Sequence, residues 1–551
     1  MAPDSRGPGA YAPSLLRGLP WILAALLMVP SLVWIYRDAG VWSFDPAWYG
    51  ETSVELWYAL AHNTGEWPEA MLSAFHTKAP GVSWLGQFFV PIGQSIGSIE
   101  VGLLLSVILC HFATLVLTWR FLREWIPDQL WVAVFATVAT ASAPLFVALS
   151  HYFLTEALQL TATTWLFWLA AAAPRMSRAR QTAHLVLALS VAMLAKASSP
   201  LYFLPPLLLV LHSWIQARGW ASAEDRRARL AALLVLGAMV LGAALAWYVA
   251  NLKEVSAFVR AAALSETYGH AGPLQAKLLY WLRALRSNFF YPWAAAGLAV
   301  VISSGLGMRF ATRARPGQAT SLKYRPALAA ACLLQIVMVL LAFSLNVNED
   351  NRYLLPVLPG VVGLFGWGLA NTRSRVLAIA AVSLMAVQLA RVHAQALGMT
   401  ERDPRIAYWL WPYQSSSAQS TELRRIIRLA NEGDAADRYA IVGVDLSWLN
   451  ANSLAFLAAQ EKLRAHERSY FTSLGYMAAD ADAAWSRMQS LRTEYFVTLV
   501  AERLPPPDAF NQVSGPILER VAGDPCFESE DFASNLGIVV YHRICEWAPA
   551  Q

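Results

Sequence analysis

Along residues 1–391 the chain alternates between long apolar runs and short polar breaks. A helix of about 17–25 apolar residues crosses the ~30 Å hydrocarbon core of a bilayer. Eleven stretches have that length: 19–36, 101–119, 130–150, 152–173, 183–199, 200–217, 230–251, 289–308, 327–346, 353–371 and 375–391. The pattern predicts a polytopic all-α membrane domain of about eleven transmembrane helices. Lys196 and Pro200 interrupt one run and separate the fifth stretch from the sixth. Pro144 and Pro205-Pro206 fall in or near stretches, where neighbouring helices satisfy the freed backbone groups.

From residue 392 the period changes. Residues 438–445, 493–502 and 536–544 read as short buried strands, with helices at 419–431 and 448–460. The first helix gathers Leu423, Ile426, Ile427 and Ala430 on one face. Strands alternating with helices predict a small α/β soluble domain. Two domains follow, 1–391 and 392–551, and no internal repeat is evident.

Composition sharpens that division. The chain of 551 residues is 57% hydrophobic and 14% charged, with a mean hydropathy of +0.40. A soluble domain carries about 25% charged residues, so one ordinary globular domain is excluded, and such apolar content excludes disorder. Residues 392–551 hold 20 acidic and 14 basic residues, net −6, against 17 acidic and 28 basic before them, net +11.

Basic loop residues set the orientation. Counting from a cytoplasmic N-terminus, alternate loops carry Arg6 and Arg17, Arg120 and Arg123, Arg175 to Arg180, Arg218 to Arg229, Arg309 to Arg325, and Arg373 with Arg375. The runs at 221–229 and 309–325 read as solvated cytoplasmic loops. With an odd number of spans, residues 392–551 lie outside, as do 37–100, 252–288 and 346–352. The first stretch ends Trp34-Ile35-Tyr36 with no small-residue cleavage site, so it reads as a retained anchor. Cys110 and Cys332 fall within spans as packing residues. Cys526 and Cys545 lie outside, where an oxidising compartment permits pairing.

Candidate chemistry collects on the outer side. The first outer loop opens SFDPAWYGETSVELWYALAH, with Asp45 directly after the first span and Trp42, Phe44, Trp48 and Tyr49 around it. Residues 47–61 read as an amphipathic helix along the membrane surface. His76 and Lys78 follow in a His-Thr-Lys-Ala-Pro-Gly turn, and Glu156 lies inside the fourth span near its outer end. Lys196 occupies the break after the fifth span. Later outer loops add Arg260, Glu266, His270 and Lys277, then Glu349, Asp350, Arg352 and Tyr353. Intramembrane ionisable groups are costly and usually functional. Cations at the interface suit a lipid with an anionic head, Arg through a bidentate fork and Lys as a point charge. The soluble tail has no glycine-rich phosphate loop, metal-spaced His/Cys set or nucleophile motif.

At these residues the sequence resembles the GT-C membrane glycosyltransferases, in pattern the bacterial protein O-mannosyltransferases and lipid A aminoarabinose transferases. FDPAWYGE resembles the family's opening after the first span, and the resemblance maps its catalytic Asp to Asp45. HTKAPG matches the Lys-Pro-Pro-type turn, mapping the phosphate-binding Lys to Lys78, with His76 beside it. HYFLTEALQL, AMLAKASSP, the Tyr-Pro-Trp at 291–293 and NRYLLPVLP match further pieces, mapping Glu156, Lys196, Arg352 and Tyr353. Pro46 stands where the family usually has Glu, leaving Glu51, Glu55 or Glu156 as the second carboxylate.

The resemblance implies an inverting transfer of one hexosyl or pentosyl unit from a polyprenyl-phosphate sugar, on the outer face of a bacterial inner membrane. Asp45 and Glu156 would be the catalytic carboxylates. Lys78, His76, Lys196, Arg260, His270, Arg352 and Tyr353 would hold the lipid phosphate. A phosphate acceptor, already anionic, would be oriented rather than deprotonated by Asp45. The acceptor is left open between a lipid, a polysaccharide and a protein, and no nucleic acid is implied. No cofactor is expected; a hard divalent cation on the acidic positions is compatible, without a dedicated ligand set. The competing reading is a transporter or flippase of a lipid-linked sugar, which would be expected to show duplicated halves or paired broken helices.

Overall fold

A computed structural model describes residues 12–217, 227–264, 269–312, 325–403, 406, 409–431, 439–465, 469–530, 532 and 534–547. Glu266 and most of the basic runs at 221–229 and 309–325 lie outside the described residues. Each of the eleven apolar stretches is helical. Among the described residues six helices are long and apolar enough to cross a membrane: Gly18–Arg37, Ile99–Trp125, Leu230–Leu264, Pro326–Ser344, Asn351–Thr372 and Arg375–Ala396. The pair Leu274–Phe289 and Pro292–Gly307, bent by 89°, adds a seventh if counted as one span. The remaining stretches form Leu130–Ser142 with Pro144–Leu149, Glu156–Ala172, Arg178–Ala195 and Pro200–Gln216. These features mark a multi-pass membrane protein.

Local sequence sets the boundaries. Pro144, Pro200, Pro292 and Pro326 each begin a helix, where a missing N–H removes no intrahelical bond. Ser177 and Ser374 cap the next turns by accepting from Arg180 N and Leu377 N, which satisfies an orphan donor. Asn251 leaves helical geometry at φ −119°, ψ 16° and kinks the long helix Arg227–Leu264.

Contacts divide the chain into two units: residues 1–36, 72–82 and 104–412, and residues 37–71, 83–103 and 413–551. In the first, apolar packing is cross-linked by polar groups that find partners within the helices' own interior. Thr114 Oγ1 lies 3.0 Å from Thr161 Oγ1, and Gln335 donates to the carbonyls of Tyr202 and Pro356. Gln388 donates to the carbonyls of Ser142 and Phe289. Such bonds join membrane helices, where lipid offers no alternative partner.

The second unit holds a five-stranded sheet in the order β2-β1-β3-β5-β4, with β1 Tyr439–Val442, β2 Tyr470–Ser473, β3 Tyr495–Leu499, β4 Phe527–Ser529 and β5 Ile538–Arg543. β1 runs parallel to β2 and β3, and β5 antiparallel to β3 and β4. Both faces are covered. Leu423, Ile426 and Leu454 pack with Val442 and Val497 on one side, and Trp485, Met488 and Ile517 with Ile441 and Phe496 on the other. This explains why β3 is buried at every position and reads as an apolar run rather than an alternation. β1, β3 and β5 were expected; the short strands β2 and β4 were not. Cys526 and Cys545 form a disulfide, and Cys110 and Cys332 are buried free thiols.

The expected surface helix forms over Phe44–His62, and within its own unit it packs against helix Ala451–Ala465. Trp42 stacks on Phe456 at 5.0 Å, Ser453 Oγ donates to Trp42 O, and Lys462 pairs with Glu55 at 2.8 Å.

Candidate functional site

Several of the expected ionisable residues meet in the first unit. The chain breaks helix after Leu149 and restarts at Glu156, leaving Glu156 in the first turn of Glu156–Ala172. Ser31 and Ser150 hydroxyls at 2.9 Å, and Trp34 stacked on His151 at 4.2 Å, hold this break. Glu156 is 1% exposed. A helix N-terminus favours a carboxylate there, but burial requires a partner. Lys196 supplies one: its Nζ donates to Glu156 Oε1 at 2.6 Å. Lys196 ends helix Arg178–Ala195 in extended geometry just before Pro200 opens the next, so the break in the apolar run turns its side chain to Glu156.

Arg352 completes the group. Its Nε lies 3.5 Å from Glu156 Oε1 and 2.7 Å from Asp350 Oδ2. Asp350 also caps the 3₁₀ helix Asn351–Val357 by accepting from Arg352 N. Tyr353 lies beneath Lys196, its ring centroid 3.9 Å from Nζ, a cation–π contact. Tyr202 fixes Tyr353 by donating to its carbonyl at 2.7 Å. Trp409 faces Arg352 at 5.6 Å and meets Tyr152 edge-on. Two cations, two carboxylates and the rings of Tyr353, Tyr202, Trp409 and Tyr152 thus gather in one place.

Other expected residues fall elsewhere in the same unit. His76 Nδ1 lies 2.7 Å from Asn251 Oδ1, at the kink of the long helix. Phe75 and His76 both have positive φ, 66° and 51°, conformations held by surrounding structure: Trp247 Nε1 donates to Ala74 O and Asn251 Nδ2 to Leu72 O. Lys78 Nζ sits 5.4 Å from the Phe258 ring. Gly81, three residues on, packs so closely that a Cβ would lie 2.5 Å from Leu194 O. That close approach ties the His76–Lys78 turn to the last turn of helix Arg178–Ala195, which ends at Lys196.

Arg260 is exposed near the end of Arg227–Leu264. His270 is expected on the lipid phosphate; here its Nδ1 lies 3.2 Å from Glu349 Oε2 and its side chain is 91% exposed. Burial pushes the Glu349 carboxyl up, but hydrogen bonds from Lys277 and His270 outweigh it and hold the group below its ordinary range. Asp45 belongs to the second unit, partly buried in the first turn of Phe44–His62. Glu55, one candidate second carboxylate, is engaged by Lys462.

Sequence reasoning did not single out Tyr202 or Trp409. Nor did it find Arg391 and Asp403, which with Tyr291, Pro292, Trp293 and Val387 line a cavity of about 590 Å³. Among the described residues no group of three or more His, Cys, Asp or Glu side chains is placed to hold a metal ion.

No protein-family model matches the chain, and no curated relative matches its sequence. Solved structures do match its fold. ArnT from Cupriavidus metallidurans in the apo state is similar over 96% of this chain and 98% of its own, at 15% identity and a TM-score of 0.56. ArnT from the same organism bound to undecaprenyl phosphate is similar over 98% of this chain and all of its own, at 15% identity and a TM-score of 0.55. The chain shares the fold of these ArnT structures.

Proposed function

We propose that the protein is a glycosyltransferase that moves one sugar from a polyprenyl-phosphate donor to an acceptor on the outer face of a bacterial inner membrane. The observation that carries this reading is the cluster of Glu156, Lys196, Arg352 and Tyr353 among apolar helices. A buried carboxylate holding two cations near the end of a span is costly in lipid, and such groups usually mark a functional site. The shared fold supports the reading, because ArnT has been crystallised with undecaprenyl phosphate. Eleven crossings, a cytoplasmic N-terminus and an outer domain from about residue 392 would put the cluster on that outer face.

The reaction is a single displacement. The acceptor oxygen attacks the anomeric carbon as the bond from that carbon to the phosphate oxygen breaks, and its electron pair leaves on the polyprenyl phosphate. Asp45 accepts the acceptor's proton. One displacement without a covalent sugar–enzyme intermediate inverts the configuration. The departing phosphate needs cations more than it needs an acid. Lys78, Lys196 and Arg352 supply them, with Glu156 holding the last two in place.

The test is incubation of the purified protein with a panel of polyprenyl-phosphate sugars and candidate acceptors, read by mass spectrometry. One donor should be consumed, with free polyprenyl phosphate formed in step with glycosylated acceptor. Asp45→Asn should abolish transfer in a folded chain. A fully active Asp45→Asn protein removes the base from the scheme, and a chain that consumes no donor removes the scheme.

A further inference from the structure

The segment that carries Arg352 is short, polar and irregular, yet it is fastened at several points. Val347 N donates to Ala263 O, and Asn348 forms an antiparallel bridge with Gly269. Gly269 is required for that approach, since a Cβ there would collide with Val347 O. Within the segment, Asn346, Asn348 and Asp350 side chains each accept from the backbone N–H two residues on, an Asx-type turn repeated three times. The last of these is at Arg352 itself.

The strongest fastening comes from helix Leu274–Phe289. Lys277, 5% exposed, donates from Nζ to Val347 O at 3.0 Å and to Glu349 Oε1 at 2.9 Å. Tyr280, less than a turn further on, donates to Glu349 O at 2.7 Å, with its hydroxyl 3.0 Å from Asn351 Oδ1. A lysine in this position runs against two local preferences. A cation near a helix N-terminus is disfavoured by the backbone dipole. A buried ammonium loses more by desolvation than one ion pair generally returns. Departures of this kind concentrate at functional sites. Both of these Lys277 bonds are made to the segment that carries Arg352.

We propose that Lys277 is a positioning residue for Arg352: through Val347 and Glu349 it fixes the segment 346–353, and so the place at which the guanidinium meets the lipid phosphate. The inference rests on the reading of Arg352 as part of the phosphate site. Misplacement of a binding group by about 1 Å can cost around a hundredfold, so a fastening three residues from the guanidinium is close enough to matter.

The experiment uses the full chain and undecaprenyl phosphate as the probe, titrated by native mass spectrometry, with amide hydrogen exchange on the same proteins. Lys277→Met should weaken binding about tenfold, and Lys277→Arg should restore most of it. Tyr280→Phe, which removes one hydroxyl and no charge, should act in the same direction and more weakly. Arg352→Met should weaken binding at least as much as Lys277→Met. Adding Lys277→Met to Arg352→Met should then weaken it no further, because both act through one group. Exchange in 346–353 should speed up in Lys277→Met while helix Glu156–Ala172 stays protected.

Additive effects of the two substitutions, or faster exchange throughout the chain, would overturn the positioning role. Wild-type protein that does not bind the lipid contradicts the phosphate site itself. In that case unchanged exchange in 346–353 of Lys277→Met also rejects Lys277 as the residue that orders the segment, and faster exchange there retains that part alone.

Discussion

At the scale of single residues, the site turns on a carboxylate that is useful because it is engaged. Glu156 is buried against Lys196 and Arg352, and removing one member of a buried ion pair costs roughly 3–5 kcal/mol by stranding the other. Glu156→Gln should therefore lower thermal stability markedly. Adding Lys196→Gln should recover part of the loss while leaving undecaprenyl phosphate binding impaired. Thermal unfolding and lipid titration of the single and double variants check both halves; a double variant no more stable than Glu156→Gln would contradict the pairing.

In the second unit, burial and then the neighbouring Asp508 push Asp445 up to about 6. A raised carboxyl pKa means the folded state favours the proton. Stability from this group is full below the ordinary aspartate pKa and is lost as pH rises through about 6. Asp445→Asn should thus stabilise the unit at pH 8, by on the order of 1 kcal/mol once solvent screening is allowed for, and give no gain at pH 4. Melting temperatures across that range test the sign.

Glu156, Lys196, Arg352 and Tyr353 were legible in the sequence because an ionisable group inside or beside an apolar run is conspicuous. Tyr202 and Trp409 were not, since nothing distinguishes them among 19 Tyr and 23 Trp until the chain is folded. The partner of His270 was hidden for a related reason: its place on an outer loop said nothing of Glu349, which it meets.

At the scale of elements, the helices were the readable part. Their length is set by apolar composition, and their starts by Pro and Ser at positions where the backbone chemistry favours them. Short strands were harder. β2 has four residues and β4 three, too few for any period to emerge. The surface helix was legible as a helix but not by partner, because the face of Phe44–His62 that suits a membrane interface also suits helix Ala451–Ala465. Gly81 shows how an element can act through another. A Cβ there would press on the backbone of Leu194, two residues before Lys196, and backbone cannot give way as a flexible side chain can. Gly81→Ala should weaken undecaprenyl phosphate binding several-fold by displacing the Lys196 end of its helix, an effect of about 1 kcal/mol. The melting of the second unit should not change, which separates this outcome from general misfolding.

At the scale of the whole molecule, charge and hydropathy divide the chain into a basic, apolar part and an acidic, mixed part, and the folded chain shares the fold of ArnT, with a small sheet near its end. What made a membrane fold legible was the length and spacing of the apolar runs, and at 15% identity ArnT shares that fold. The grouping of residues 37–71 and 83–103 with 413–551 was not legible, because it depends on contacts across hundreds of residues. The central claim, that the Glu156–Lys196–Arg352 cluster receives a lipid phosphate, is tested most directly by a cryo-electron microscopy map of the protein with undecaprenyl phosphate. Phosphate density should appear within hydrogen-bonding distance, about 3 Å, of both Arg352 and Lys196. Density for the phosphate at the cavity lined by Tyr291 and Arg391, with the cluster unaltered, would contradict it.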